Sequence, residues 1–316
     1  MSKSYQEINA ETIDRWVEEG WEWGQPISHE TYLNAKNGNW NVLLTPVNPV
    51  PHEWFGNLKD KKILGLASGG GQQMPIFVAL GANCTVLDYS DKQLEAEKMV
   101  AEREKYEIEI IKADMTKKLP FADNSFDIIF HPVSNSYIEK VEPVFKECYR
   151  ILKKGGILLC GLDIGTNYTV DEKEEKIINS LPFNPLVNEE QRKQLEEQDC
   201  GIQFSHTISE QIGGQLKAGF RLTDIYDDTN GFGRLRELNR LDYTDTNIGD
   251  MRVNDTVATA PAARIVRSPE AVPGKVIALE SAGWLMPGSG VAFTWTLYEE
   301  LPQTEQPEAA ASSREG

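Results

Sequence analysis

Three glycines and two carboxylates are the residues of this chain with the most chemistry in their spacing. Gly69, Gly70 and Gly71 end an apolar run from Ile63 to Leu66, and a helical pattern opens at Met74. Glycines there let the backbone turn sharply and approach a ligand where a Cβ would intrude, and the helix behind them offers unpaired N–H groups. Asp88 ends a second apolar run, Asn83 to Leu87, about 20 residues after the loop, the separation at which an acid accepts both hydroxyls of a ribose. Asp114 follows a third run, Glu107 to Ile111, and stands beside Met115. An acid and an apolar side chain together can grip the amino group and the face of an adenine. Two histidines supply proton chemistry. His131 follows the fourth apolar run at a strand end, where an imidazole can take a proton near neutral pH, and His29 is a second candidate base in the N-terminal arm.

The glycine loop discriminates among nucleotide ligands. A nicotinamide or flavin fingerprint requires G-x-G-x-x-G, but Met74 occupies the place of the third glycine, which packs helix on strand. A phosphate-binding Walker loop requires Gly-Lys-Ser/Thr, and Gln72-Gln73 carry no charge.

The elements that must hold these residues alternate strand and helix. Ser90-Asp91-Lys92-Gln93 reads as a capping box before a helix running to Glu104, and Glu142 to Lys153 as a helix before a fifth strand, Ile157 to Leu162. Thr207-Ile208-Ser209-Glu210 is a second capping box, opening a helix that Gly219 ends, and Phe220 to Tyr226 follows as a sixth strand.

With the glycine loop, Asp88 and Asp114-Met115 in this order, the chain resembles the class I S-adenosylmethionine-dependent methyltransferases. Leu119-Pro120-Phe121-Ala122-Asp123-Asn124-Ser125-Phe126-Asp127 is similar to that family's approach to strand four. Tyr149 to Leu159, with Lys154-Gly155-Gly156, is similar to its helix, turn and strand five. The likeness covers roughly Trp40 to Asp227. It implies an α/β fold with a doubly wound, mostly parallel, seven-stranded Rossmann-like sheet, S-adenosyl-L-methionine as cofactor, and in-line methyl transfer. The implied cofactor-binding set is Ala67, Ser68, Gly69, Gly70, Gly71, Gln72, Asp88, Tyr89, Asp114, Met115 and His131. Two positions depart from the family, which carries an acid at Gly65 and a glycine at Ala67. That acid orients the methionine end of the cofactor, so Ser68, Gln72 or the N-terminal arm must take its place. The stretch after strand four, Pro132 to Glu139, lacks the Asn/Asp-Pro-Pro-aromatic motif of amino-methylating enzymes, and His131, Asn135 and Tyr137 are its acceptor-side candidates.

Composition narrows the acceptor. A net charge of -17 over 316 residues argues against DNA and RNA and favours a small-molecule or protein acceptor. Cys84, Cys148, Cys160 and Cys200 show no C-x-x-C spacing and no apolar leader precedes the chain, so cytoplasmic location, free thiols and no membrane partner are expected. The histidines show no paired spacing, so no metal is expected. Oligomeric state is left open.

Five regions emerge. Residues 1–58 form an arm with an amphipathic helix and many tryptophans, read equally as a hydrophobic satellite or as a lid. The core spans 59–239, with an acceptor-side insertion at 163–205. From 240 to 300 lysine almost disappears and alanine rises. There Lys275 to Leu279 and Val291 to Tyr298 read as strands, and the segment is read either as supplying the missing seventh strand through Ala292 to Leu297 or as unrelated, poorly ordered sequence that leaves the core without a last strand. Residues 301–316 are expected to be disordered. Competing readings are a non-catalytic S-adenosylmethionine-binding protein and an NAD-type oxidoreductase on a Rossmann-like sheet.

Overall fold

The computed structural model describes residues 3–163, 165–171, 177–226, 228 and 262–267. Seven strands form one sheet in the order β3-β2-β1-β4-β5-β7-β6. They are β1 (Lys62–Leu66), β2 (Asn83–Asp88), β3 (Glu109–Lys112), β4 (Phe126–His131), β5 (Leu152–Gly161), β6 (Phe220–Tyr226) and β7 (Ala262–Arg267). Strands β1 to β5 run parallel, and β7 lies antiparallel between β5 and β6.

The chain steps outward from β1 to β3, then returns to place β4 on the other side of β1. This puts a topological switch point between the carboxyl ends of β1 and β4, where open α/β sheets bind their ligands.

Both sheet faces are buried, which is why the central strands read as unbroken apolar runs. Alternation along each strand divides the core. Leu64, Leu66, Ile129, Leu158 and Cys160 face one cluster with Val144, Phe145 and Cys148 of α5 (Glu142–Ile151) and Ile212 of α7 (Ile208–Ala218). Ile63, Ile128, Phe130 and Leu159 face the other, with Met74 and Phe77 of α3 (Gln73–Ala79) and with Trp54 and Phe55 of the arm.

The arm's tryptophans divide their roles. Trp54 is buried, donates its Nε1–H to Asp224 Oδ2 at 2.9 Å, and packs on Tyr226. Trp40 stacks on His52 with ring centres 4.0 Å apart and meets Phe55 and Phe77 edge-on. Trp21 and Trp23 instead line a cavity. The arm is therefore a hydrophobic satellite at one end and a cavity wall at the other.

Three sequence expectations change. Ser90 caps α4 (Asp91–Glu104) by accepting from Gln93 N, but the Gln93 amide turns away to Trp23 O, so the capping box is half made. Strand five begins at Leu152, because Lys153 to Gly156 continue the extended chain. The place next to β5 belongs to β7, Ala262–Arg267, an alanine pair followed by β-branched residues that the search for alternating aromatics passed over. The proposed strands at 275–279 and 291–298 and the tail at 301–316 lie outside the described residues, as does most of the charged segment 171–178.

Candidate active site

A cavity of about 360 Å³ lies against the carboxyl ends of β1, β2, β4 and β5. Its size is that of a small-ligand site. A more open groove of about 1100 Å³ runs past Lys62, Asn83, Glu109 and Phe126. Those residues begin their strands, so the groove sits at the amino ends of the sheet, opposite the face such folds use.

One wall of the cavity is the turn after β1. Ala67 adopts φ 49° and donates its N–H to Leu87 O at 2.8 Å, which fastens the turn to β2. A non-glycine residue in this region is strained, and here it stands where glycine is the usual choice. Its neighbour Gly65 explains the other departure. A Cβ on Gly65 would lie 2.8 Å from Met74 Sδ, so the methionine on α3 fills the space that a side chain on β1 would need. Ser68, buried, donates its hydroxyl to Gln73 Oε1 at 3.0 Å. Gln72 donates through Nε2 to Glu22 O and Gln25 O, tying the arm to the loop.

The loop's N–H groups are satisfied within the protein. Gly69 N donates to Asp88 Oδ2 at 3.0 Å, Gly70 N to Gln93 O at 2.8 Å and Gly71 N to Glu97 Oε2 at 3.1 Å. Gly69 lines the cavity, whereas Gly70 and Gly71 do not. At φ 86° and 66° these two glycines let the loop pass close to Gln93 and to Ala96 O, so their absent Cβ atoms make room for α4. Of the three glycines expected to cradle a ligand, Gly69 alone borders the cavity.

Asp88 is the centre of the second wall. Oδ1 accepts from Tyr89 N at 2.7 Å and Ser90 N at 3.1 Å, and Oδ2 takes Gly69 N. A carboxylate has about four acceptor positions, so one on Oδ2 is left to face the cavity. Burial pushes this carboxyl up against the pull of the three N–H groups, and Asp14 adds to the rise. Asp14 belongs to α1 (Tyr5–Glu18) and takes Ser90 Oγ–H at 2.5 Å and Lys92 N–H at 3.0 Å, docking α1 on the start of α4. Asp114 and Met115, following β3, complete this half. Asp114 Oδ1 accepts from Thr116 N and Oγ1, and among the described residues no hydrogen bond engages Oδ2. Tyr89 lies on the same wall.

Of the two proposed bases, neither reaches the cavity. His131 is fully buried, with Nδ1 2.9 Å from Leu66 O and Nε2 2.8 Å from Asn135 Oδ1. Burial holds its pKa below the ordinary imidazole value, against those two bonds. It joins the ends of β1 and β4, and Asn135 carries the network on to Gln211 and Asp163 O. His29 is exposed beside Glu104, at the far end of α4. Tyr137 does line the cavity.

The residue that sequence reasoning passed over is Asp163. It stands just beyond β5 and lines the cavity with Tyr168 and Gln203. The strand-end rule that drew attention to His131 after β4 applies equally to Asp163 after β5.

The donor set suits a nucleoside. Asp88 and Asp114 each keep an acceptor position of the kind that hydroxyls or an amine can fill, and Met115 lines the cavity beside them. A methyltransferase domain model matches residues 64–160. An uncharacterized methyltransferase of Bacillus subtilis, YbaJ, is 40% identical over 232 residues, covering 71% of this chain and 91% of the relative. The chain belongs to the S-adenosylmethionine-dependent methyltransferases. The sterol 24-C-methyltransferase erg6 of Aspergillus fumigatus is 33% identical over 106 residues, which cover 33% of this methyltransferase and 28% of that one. A Mesorhizobium loti S-adenosylmethionine-dependent methyltransferase shares the fold, with a TM-score of 0.50 at 15% identity over 68% of this chain and 94% of the other. The cofactor of the family is S-adenosylmethionine, and it supplies an electrophilic methyl group on a sulfonium. Among the described residues no helix is long and apolar enough to cross a membrane, and no three His, Cys, Asp or Glu side chains gather as a metal site.

Proposed function

We propose that this methyltransferase is catalytically active and methylates a small-molecule acceptor. The observation that carries the reading is a single cavity of about 360 Å³ that joins the nucleoside-type walls at Asp88 and Asp114 to a second wall at Tyr137, Asp163 and Tyr168. Gln6, Asn9 and Ile13 of α1, with Trp21 and Trp23, also line it. Such a space accommodates a compact acceptor in preference to a folded protein surface or a nucleic acid duplex.

Within it, Asp88 accepts the ribose hydroxyls, Asp114 the adenine amine, and Met115 packs against the base. Ser68 and Gln73 border the methionine end in place of the acid missing at Gly65. On this reading the shared walls would bring the two reactants within near-attack distance, which is the main task in a displacement of this kind. The relative named a sterol methyltransferase supports a small-molecule acceptor for this chain.

The test is to incubate the full chain with tritiated-methyl S-adenosylmethionine and a bacterial metabolite extract, then separate small-molecule and protein fractions. Label in the small-molecule fraction, abolished by Asp88→Asn, is the expected result. Label confined to protein, or no transfer by a chain that binds the cofactor, would overturn the reading.

A further inference from the structure

The acceptor half of the cavity has a chemistry of its own. Asp163 Oδ1 accepts from Gly165 N at 2.6 Å. Its other oxygen has a poorer partner. Gln203 Nε2 donates to Cys200 O at 2.8 Å, which turns Gln203 Oε1 toward Tyr168, and the Tyr168 hydroxyl lies 2.9 Å from that oxygen. With one proton to give, Tyr168 gives it to Gln203, and Asp163 Oδ2, 3.5 Å away, is left facing an oxygen lone pair beyond ordinary hydrogen-bond range. A second group nearby is also unsatisfied. The Tyr137 phenol lies on the same wall, and among the described residues it has no hydrogen-bond partner. Burial, then the charges of Asp163 and Cys200, hold its proton on.

We propose that Asp163 Oδ2 and the Tyr137 hydroxyl form the acceptor subsite, and that it selects an uncharged or cationic acceptor bearing an O–H or N–H group on an apolar frame. An uncharged acceptor points its proton at Asp163 Oδ2 and its lone pair at the Tyr137 hydroxyl or the cofactor. A cationic acceptor pairs its N–H with Asp163 and has a lone pair for the cofactor only after that proton has left for solvent. This rests on the cofactor occupying the Asp88 and Asp114 half of the same cavity.

Charge supports the selection. Asp88, Asp114 and Asp163 all line the cavity, and among the described residues no Lys, Arg or His does. An anionic acceptor would enter a low-dielectric space facing Asp163 with no counter-charge, an arrangement that burial of charge strongly disfavours. Burial pushes the Asp163 carboxyl up to about 6, against the Gly165 N–H, so it is chiefly ionised at neutral pH and ready to accept. Ile13, Trp21 and Tyr168 supply apolar surface for the acceptor's frame.

The test uses three matched probes, benzyl alcohol, benzylamine and benzoate, on the full chain saturated with S-adenosylhomocysteine at neutral pH. Saturation-transfer NMR titrations give the three affinities on wild type, Asp163→Asn and Tyr137→Phe. The alcohol and the ammonium are expected to bind at least tenfold more tightly than benzoate. Asp163→Asn is expected to erase that ranking while leaving S-adenosylhomocysteine affinity within twofold, and Tyr137→Phe to weaken the alcohol more than the ammonium. Benzoate binding as well as the others, no probe binding to the wild-type complex, or an unchanged ranking in Asp163→Asn would overturn the proposal. Should Asp163→Asn fail to fold, the wild-type ranking and Tyr137→Phe decide. Failure of S-adenosylhomocysteine itself to bind would instead remove the cofactor reading beneath it.

Discussion

Glu97 offers a quantitative test of how the glycine loop is held. Its side chain lies on α4 with no exposure, Oε2 taking Gly71 N–H at 3.1 Å and Oε1 facing the Tyr106 hydroxyl at 3.4 Å. Burial pushes its carboxyl from the ordinary 4.5 up to about 8, the two hydrogen bonds pulling the other way. Because the folded-state value is raised, the folded protein keeps a proton that the unfolded chain has released, and stability falls as pH rises from about 4.5 to about 8. The slope for one such proton is about 1.4 kcal/mol per pH unit, so this group alone makes the protein about 3 kcal/mol less stable at pH 7 than at pH 5. Glu97→Gln keeps the shape and an acceptor for Gly71 but cannot ionise. Urea unfolding at pH 5 and pH 7, at constant ionic strength, should show the stability of the variant relative to wild type improving by about 3 kcal/mol, or roughly 1 M in midpoint. Other titrating groups cancel in this difference of differences. Parallel pH profiles for the two proteins would refute the buried neutral acid and the loop anchor built on it.

Three further outcomes follow from neighbouring residues. Ala67→Gly removes a Cβ from backbone at φ 49° and should raise stability by about 0.5–1 kcal/mol, read as a higher thermal midpoint of the ligand-free protein. Gly65→Ala should cost about 1–3 kcal/mol by driving a methyl into Met74, and the Gly65→Ala/Met74→Ala double variant should lose less than the sum of its parts in chemical denaturation. Asn9 gives two protons, to Tyr137 O and Ile202 O, and takes one from Ile202 N, so Asn9→Ala should cost about 2 kcal/mol and loosen α1, seen as a red shift in the emission of Trp16 and Trp21.

The cavity wall at Asp88 and Asp114 was legible because its residues are local to strand ends. Ser68, Gly69, Asp88, Asp114 and Met115 each follow an apolar run, and a parallel sheet brings such positions together whatever the loops do. The same rule misplaced His131, since a strand-end side chain points either into the cleft or back between strands, and alternation along β4 sends this imidazole inward to Leu66 O. Asp163 was missed because its setting depends on Tyr168 and Gln203, which a long insertion returns to it, and no local pattern encodes that return. Gly70 and Gly71 looked like ligand contacts because a close backbone approach to a helix needs the same residue type as a close approach to a cofactor. The seventh strand was sought in the most regular alternation, whereas β7 is a short run whose pairing partners, β5 and β6, define it.

The measurement that bears most directly on the account is calorimetric titration of S-adenosylhomocysteine into wild type, Asp88→Asn and Asp114→Asn. A single site per chain is expected, weakened at least tenfold by either substitution, with the fold of Asp114→Asn unchanged by circular dichroism. Equal affinity in all three proteins, or no heat with wild type, would contradict the placement of the cofactor between Asp88 and Asp114.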